Sequence, residues 1–392
     1  MASAGGDRWA ALALIIAARV AITIQMQSVG AVGPLLLADP SLDIGYSGLG
    51  ALIGAYLLPG AFVALPAAWL TVRLGERRMV LAGLLLATAG GLAIAVAPGF
   101  GTAFAARIVG GAGAALLNVV LSAMLMGRFA GPALAPAMGG FLAAYPFAVG
   151  LSLVVLPALG TAIAWRGAML AVAAACALVL AAAPFVLARA PAGSAGSGTQ
   201  PLLLRPGEWG PVLASGFAWV GFNAGAVVVF GFAPALLAER GVSPETAGAV
   251  TSLAGWGCAL LLPVAGALAE RSGRPLFVAC ASLGATGAAV LALAADAVPA
   301  AAALLAAGLL SALPAPVIMT LPARALSPET RATGMGIYWT VYYAGMALLP
   351  PVAGWAADAT GSGAAAALCV GAGFLFAAVV CIGVYRAVLP PR

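Results

Sequence analysis

The sequence of 392 residues contains no histidine and no lysine, and only 7% of it is charged. Soluble domains carry roughly 25% charged residues, so a water-soluble fold is excluded at the outset. Without histidine, the commonest proton relay and metal ligand is missing. The five cysteines (Cys176, Cys258, Cys280, Cys369 and Cys381) are scattered through apolar runs without paired spacing. That pattern argues against a disulfide framework or thiolate metal site and for inert helix packing. No Gly-Lys-Ser/Thr phosphate loop is present. The chain is therefore expected not to be an enzyme, with no cofactor and no metal. The formal charge of +6 is carried by arginines spread one to three per loop. Such spacing is a topology signal and gives no reason to expect nucleic acid as a partner.

What fills the chain is apolar: 64% of it is hydrophobic. A bilayer core of ~30 Å needs ~20 apolar residues per helix. Twelve such runs occur, at roughly 9–38, 46–71, 79–98, 102–127, 134–160, 167–188, 209–238, 246–269, 275–295, 298–322, 332–357 and 363–387. They do not alternate as the strands of a membrane barrel would. The run from Trp9 is too long for a signal-peptide core and reads as a retained first helix. The fold class is thus an all-α integral membrane protein, with the lipid bilayer as its solvent.

Of the 17 basic residues, thirteen fall on one side of this alternation. Only Arg166 and Arg240 fall on the other, and Arg19 and Arg107 lie inside helices. The positive-inside rule then predicts both termini in the cytoplasm and an inner-membrane location. The long polar break, Arg189 to Glu208, is rich in Gly, Ser and Pro and reads as a flexible cytoplasmic linker. It divides the chain into a six-helix bundle at 1–188, a linker at 189–208 and a second six-helix bundle at 209–392.

The halves echo one another. Arg73-Leu-Gly75-Glu-Arg77-Arg78 is a basic turn between apolar runs, and Glu270-Arg271-Ser-Gly273-Arg274-Pro repeats it in the second half. Glycine permits the tight turn, and the arginines hold it at the membrane surface. Parallel repeats around a central cavity are a known transporter plan, with the substrate at mid-depth.

These features resemble the major facilitator superfamily over essentially the whole length. Its signature after the second helix is matched by Arg73, Gly75, Arg77 and Arg78, with Val72 where an acid is usual. The second copy is matched by Gly266, Glu270, Arg271, Gly273 and Arg274. The resemblance implies that these turns act in gating. Arg107-Ile-Val-Gly-Gly111-Ala-Gly113 resembles the family's fourth-helix motif, tied to energy coupling, which implies a structural or gating role for Arg107, Gly111 and Gly113. Leu57-Leu-Pro-Gly60, Arg107 through Asn118, Tyr342-Tyr-Ala-Gly345 and Asp358-Ala-Thr-Gly361 resemble the cyanate and nitroimidazole permease-like branch.

Polar side chains at mid-depth are costly and so need a reason. Arg19 lies about 16 Å beyond Arg8 along a helix, too deep for easy snorkelling. All eleven acidic residues map to loops or helix ends. Arg19 is therefore expected to await an anionic substrate; the alternative is a packing arginine satisfied by carbonyls and hydroxyls. Asn118, about three turns beyond Arg107, matches the depth of Arg19, although an interhelical hydrogen bond would also explain it. Gln25 and Gln27 point to different faces, so at most one should meet a cavity. Asn223, Trp256, Tyr145, Tyr338, Trp339 and Tyr342 complete the candidate lining, with Tyr343 on the neighbouring face. The competing reading of these aromatics is packing or interface anchoring.

The leading functional reading is a secondary active or exchange transporter for a small anionic or weak-acid organic solute, working as a monomer by alternating access. The alternative is a broad-specificity drug or metabolite exporter of the same fold. A non-transporting receptor of that fold is a third.

Overall fold

The computed structural model of the protein describes residues 2–129, 133–189, 204–327 and 329–389. Among them there is no strand. The helices are α1 (Ala2–Ala31), α2 (Gly33–Leu37), α3 (Tyr46–Leu57), α4 (Gly60–Leu74), α5 (Glu76–Ala95), α6 (Phe100–Arg128) and α7 (Leu134–Arg189). They continue as α8 (Pro206–Glu239), α9 (Pro244–Arg271), α10 (Pro275–Ala294), α11 (Ala300–Ala312), α12 (Pro314–Ala325), α13 (Arg331–Thr360) and α14 (Ala364–Val388).

These elements make twelve passes, six in each half. Ten helical stretches are long and apolar enough to cross a membrane. One of them, Pro136–Leu187, spans 52 residues and contains two passes. It turns back at Ile163 and Ala164, where the helical backbone is lost and Ala164 takes φ 62°. The remaining pass is α13, whose tyrosines and tryptophan make its middle less apolar than its neighbours. The residues predicted as a linker lie mostly outside the described residues, at 190–203.

Three predicted runs are interrupted, each at a proline. The first pass ends at Ala31 and a short α2 follows, with Pro34 in its first turn. The second pass breaks between α3 and α4 at Leu58-Pro59, and the tenth breaks at Leu313 before Pro314. Proline lacks the N–H that would continue the helical ladder, while apolarity continues straight through. Hydropathy therefore sees one run where the backbone makes two segments.

Leu260, Phe62, Leu178, Phe185 and Phe277 are among the large apolar side chains exposed on the outer surface. In water such a surface would be an aggregation liability; facing lipid it costs nothing. The inner contacts between halves run along α3 with α13, α7 with α9 and α1 with α8. Gly50 and Gly54 of α3 let the backbone of α13 approach closely. A Cβ at either would strike the carbonyl oxygen of Pro350 or Ala347.

The two ends of the molecule differ. At the arginine-poor end, polar groups tie one half to the other. The Asp358 carboxylate, at the end of α13, accepts the N–H groups of Tyr46 and Ser47 at 2.9 and 2.8 Å. These are orphan donors of α3's first turn, which has no side-chain cap of its own. The Tyr46 hydroxyl donates to Glu239, which also accepts the Ala364 N–H. At the arginine-rich end, the ion pairs described stay within a half or join the end of the linker to the second half. Glu76 pairs with Arg128 at 2.8 Å, Glu270 with Arg324 at 3.4 Å and Arg205 with Glu329 at 3.4 Å.

Candidate functional site

A cavity of about 50 Å³ lies at mid-depth between the halves. The first half contributes Arg19, Thr23, Tyr56, Gly111, Asn118 and Tyr145, with apolar neighbours; α13 contributes Tyr342 and Tyr343. Of the residues predicted to bind substrate, Arg19, Asn118, Tyr145 and Tyr342 are thus brought together. The other four are elsewhere. Asn223 turns back to donate to the Trp219 carbonyl one turn earlier, at 2.8 Å. Trp256 packs edge-on against Phe147 with ring centroids 5.5 Å apart, in the α7–α9 contact. Tyr338 is fully buried, with its hydroxyl 3.6 Å from the Met319 sulfur. Trp339 stands behind the cavity wall, edge-on to Tyr342 at 5.3 Å.

Arg19 donates through Nη1 to the Asn118 side-chain oxygen. Its guanidinium lies over the rings of Phe141 and Tyr145, at 5.1 and 5.6 Å from their centroids. Its Nε is buried without an acceptor. No carboxylate pairs with Arg19 among the described residues. Arg19 is part-buried and lines the cavity; with one amide partner, most of its donor capacity is unmet, and a charge at this depth is costly.

Arg107 is arranged differently. It is 2% exposed and donates to the carbonyls of Leu52, Gln25 and Met26 at 2.9, 2.6 and 2.9 Å. Its guanidinium sits 4.3 Å from the Tyr56 ring centroid. It binds α6 to α1 and α3 and does not line the cavity. Gly111 lines the cavity and abuts the Tyr56 backbone, whereas Gly113 faces α5 at Gly83 and Ala87.

The glutamines separate, and neither lines the cavity. Gln25 donates to the Ala87 carbonyl and accepts from the Tyr56 hydroxyl. Gln27 crosses to the second half and donates to the Phe230 carbonyl at 3.0 Å.

The two basic turns are built alike. Gly75 has φ 83° and Gly273 φ 67°, the left-handed region where glycine is at ease. Arg73, Arg77, Arg78, Arg271 and Arg274 are exposed around them. Each turn offers one glutamate to the arginine at the end of the second following pass: Glu76 to Arg128, Glu270 to Arg324. The acid stands after the glycine in the first copy and before it in the second. In the first copy the paired acid is Glu76, which motif spacing alone does not suggest.

At the opposite end, both arginines are held by aspartates. Arg166 pairs with Asp39 at 2.8 Å, and Arg240 with Asp296 at 3.1 Å. Hydrogen bonds from Ser41, Trp165 and Arg166 hold the Asp39 carboxyl well below the usual carboxylate range.

Tyr56 and Tyr343 reach the cavity without having been among the predicted binding residues. Neighbouring positions on a helix point about 100° apart, so Tyr342 and Tyr343 looked like alternatives. The cavity is wide enough along α13 to take both. For Tyr56, the signal was its place just before the Pro59 break.

No curated protein sequence matches the chain. Its fold does match solved structures. A bacterial homologue of the human lysosomal transporter Spinster, inward-facing and unoccupied, aligns with TM-score 0.74 at 16% identity, over 98% of this chain and 96% of that one. A D-xylose–proton symporter aligns with TM-score 0.76 at 12% identity, over 97% and 98%. A peptide transporter of the POT family, in complex with sulfate, aligns with TM-score 0.77 at 14% identity, over 97% and 95%. The family model of the Major Facilitator Superfamily matches residues 15–238 and again 212–392. With twelve passes in two like halves and a polar cavity between them, the chain belongs to the Major Facilitator Superfamily.

Proposed function

We propose that the protein is a secondary transporter that moves a small monoanionic or weak-acid organic solute across the inner membrane by alternating access. The observation that carries this reading is Arg19: a cation at mid-depth, lining the central cavity, with one amide acceptor and no paired carboxylate among the described residues. An anion entering the cavity supplies both the missing charge and the missing acceptors. Asn118 orients the guanidinium from one side. Tyr145 and Tyr342 supply aromatic walls and hydroxyls.

Size supports a small guest. A cavity of about 50 Å³ holds roughly three to five water-sized centres, room for a few heavy atoms in this conformation. The resemblance to the cyanate and nitroimidazole permease-like branch points to the same class. One chain supplies the whole cavity, in keeping with a monomer. The arginine distribution supports cytoplasmic termini, and on that orientation the end closed by Asp358 and Glu239 is the outer one.

The test is uptake into proteoliposomes of small carboxylates, cyanate and nitro-heterocycles by the wild type, Arg19→Ala and Arg19→Lys. Loss in both variants is expected, because lysine cannot reproduce the planar fork. Full uptake by both, with apolar drugs expelled, would establish the exporter instead.

A further inference from the structure

Arg19, Thr23, Asn118 and Tyr145 belong to the first half, so an anion on Arg19 would by itself leave the second half uninformed. Of the second-half side chains that line the cavity, Tyr342 and Tyr343, it is Tyr343 that bonds to this group. The Asn118 amide donates to the Tyr343 hydroxyl at 3.4 Å, while its oxygen accepts from Arg19. Both ends of one amide are therefore in use, one toward the cation and one toward α13.

The Tyr343 ring is itself seated in the first half. It occupies the space where a Cβ on Gly60 would stand, so a residue larger than glycine at 60 would strike it. Gly60 opens α4, directly after the break at Leu58-Pro59. Tyr343 is 7% exposed, and Tyr342 braces it edge-on with centroids 5.0 Å apart. It thus touches three things at once: the amide on the cation, the interrupted second pass, and the aromatic stack of α13.

We propose that Tyr343 is the positioning residue that ties occupancy of the cavity to the closure of the two halves. The inference rests on the reading of Arg19 as the anion site. An anion seated on the unmet Arg19 donors draws the guanidinium toward itself and weakens its bond to the Asn118 oxygen. An amide displaced from Arg19 must turn, and its N–H₂ then leaves Tyr343. The tie across the halves loosens as the site fills, and the Gly60 notch lets the ring slide out as α13 moves.

The Tyr46 and Ser47 N–H groups report the closure directly, because Asp358 holds them across the halves. Hydrogen–deuterium exchange over residues 46–50 is measured on the full chain, without ligand and with sodium acetate or sodium cyanate, for the wild type, Tyr343→Phe and Gly60→Ala. Tyr343→Phe keeps the ring and removes the hydroxyl. Its ligand-free exchange is expected to rise about fivefold, the equilibrium equivalent of one ordinary hydrogen bond, and to respond no further to either anion. By linkage its affinity for the anion, by titration calorimetry, is expected to rise by up to the same roughly fivefold, since binding no longer has to loosen that bond. Gly60→Ala retains the hydroxyl but fills the notch, and is expected to raise exchange in the same way. If Tyr343→Phe exchanges like the wild type, the proposal is overturned. A tenfold loss of affinity would also overturn it, since Tyr343 would then be a plain ligand contact. If the wild type ignores both anions while Tyr343→Phe still raises ligand-free exchange, the tie stands and the anion reading of the site fails.

Discussion

Two arginines lie inside this bundle, Arg107 buried and Arg19 part-buried on the cavity, and their surroundings are opposite. Arg107 has three backbone carbonyls and the face of Tyr56. Arg19 has one amide, two ring faces and a buried Nε without an acceptor. Both carry the cost of a charge placed deep in the membrane. Only Arg107 recovers it from the protein, through bonds that join three passes. The difference separates a structural cation from one whose partner comes from outside. Sequence depth cannot make this distinction, because both residues sit well inside apolar runs.

The largest effect expected is on Arg107. Arg107→Ala leaves three buried acceptors without their donor and should lower stability by about 3 kcal/mol, read by unfolding in detergent. A stable Arg107→Ala that merely loses substrate would break the contrast. Next is Arg19→Ala, which should cut anion uptake about a hundredfold, the worth of charged hydrogen bonds, while changing stability by no more than about 1 kcal/mol. A severe folding defect there would make Arg19 a second Arg107. Asn118→Asp sharpens the point by supplying the absent counter-charge. It should occupy Arg19 permanently, raise thermal stability and abolish anion binding in calorimetry. If binding survives, the guest does not compete for that guanidinium.

The contrast extends to the ends of the molecule. Asp358→Asn weakens a charge-assisted tie between the halves, worth about 1 kcal/mol more than its neutral counterpart, and should speed exchange at Tyr46 and Ser47. Glu76→Gln, inside one half, should leave that exchange unchanged; equal effects would erase the distinction between the ends. The smallest effect expected is the acid sensitivity of the Asp39 loop. Its folded carboxyl is held below the ordinary value by Ser41, Trp165 and Arg166, so it favours the folded state while ionised. That contribution is complete above the unfolded pKa of about 3.9 and is lost as pH falls through the lower folded value. Thermal unfolding of the wild type and Asp39→Asn should therefore converge as the pH drops below about 4. Parallel curves would mean that the ionised form matters little.

Much was legible from the chain alone. Twelve apolar runs, the repeated basic turn and Arg19 beside Asn118 at one depth follow from rise per residue and from the cost of charge in hydrocarbon. Two of the misses share a cause. Asn223 and Trp256 lie at suitable depths, but depth says nothing about which way a helix faces. Asn223 satisfies itself on its own backbone, and Trp256 fills a gap opposite Gly150. The breaks at Pro34, Pro59 and Pro314 were hidden because hydropathy is blind to a missing N–H.

The sequence by itself determined that this is a membrane-embedded helical bundle, how many times it crosses, and that unpaired positive charge lies within it. These follow from composition and spacing, which act locally along the chain. Which arginine is satisfied and which is not, that Glu76 pairs with Arg128, and that Tyr343 enters the opposite half were decided only by tertiary structure. The partners that decide Arg107, Gln25 and Asn118 come from other helices, up to 225 positions away for Asn118 and Tyr343. Only the packing of one half on the other brings them within reach.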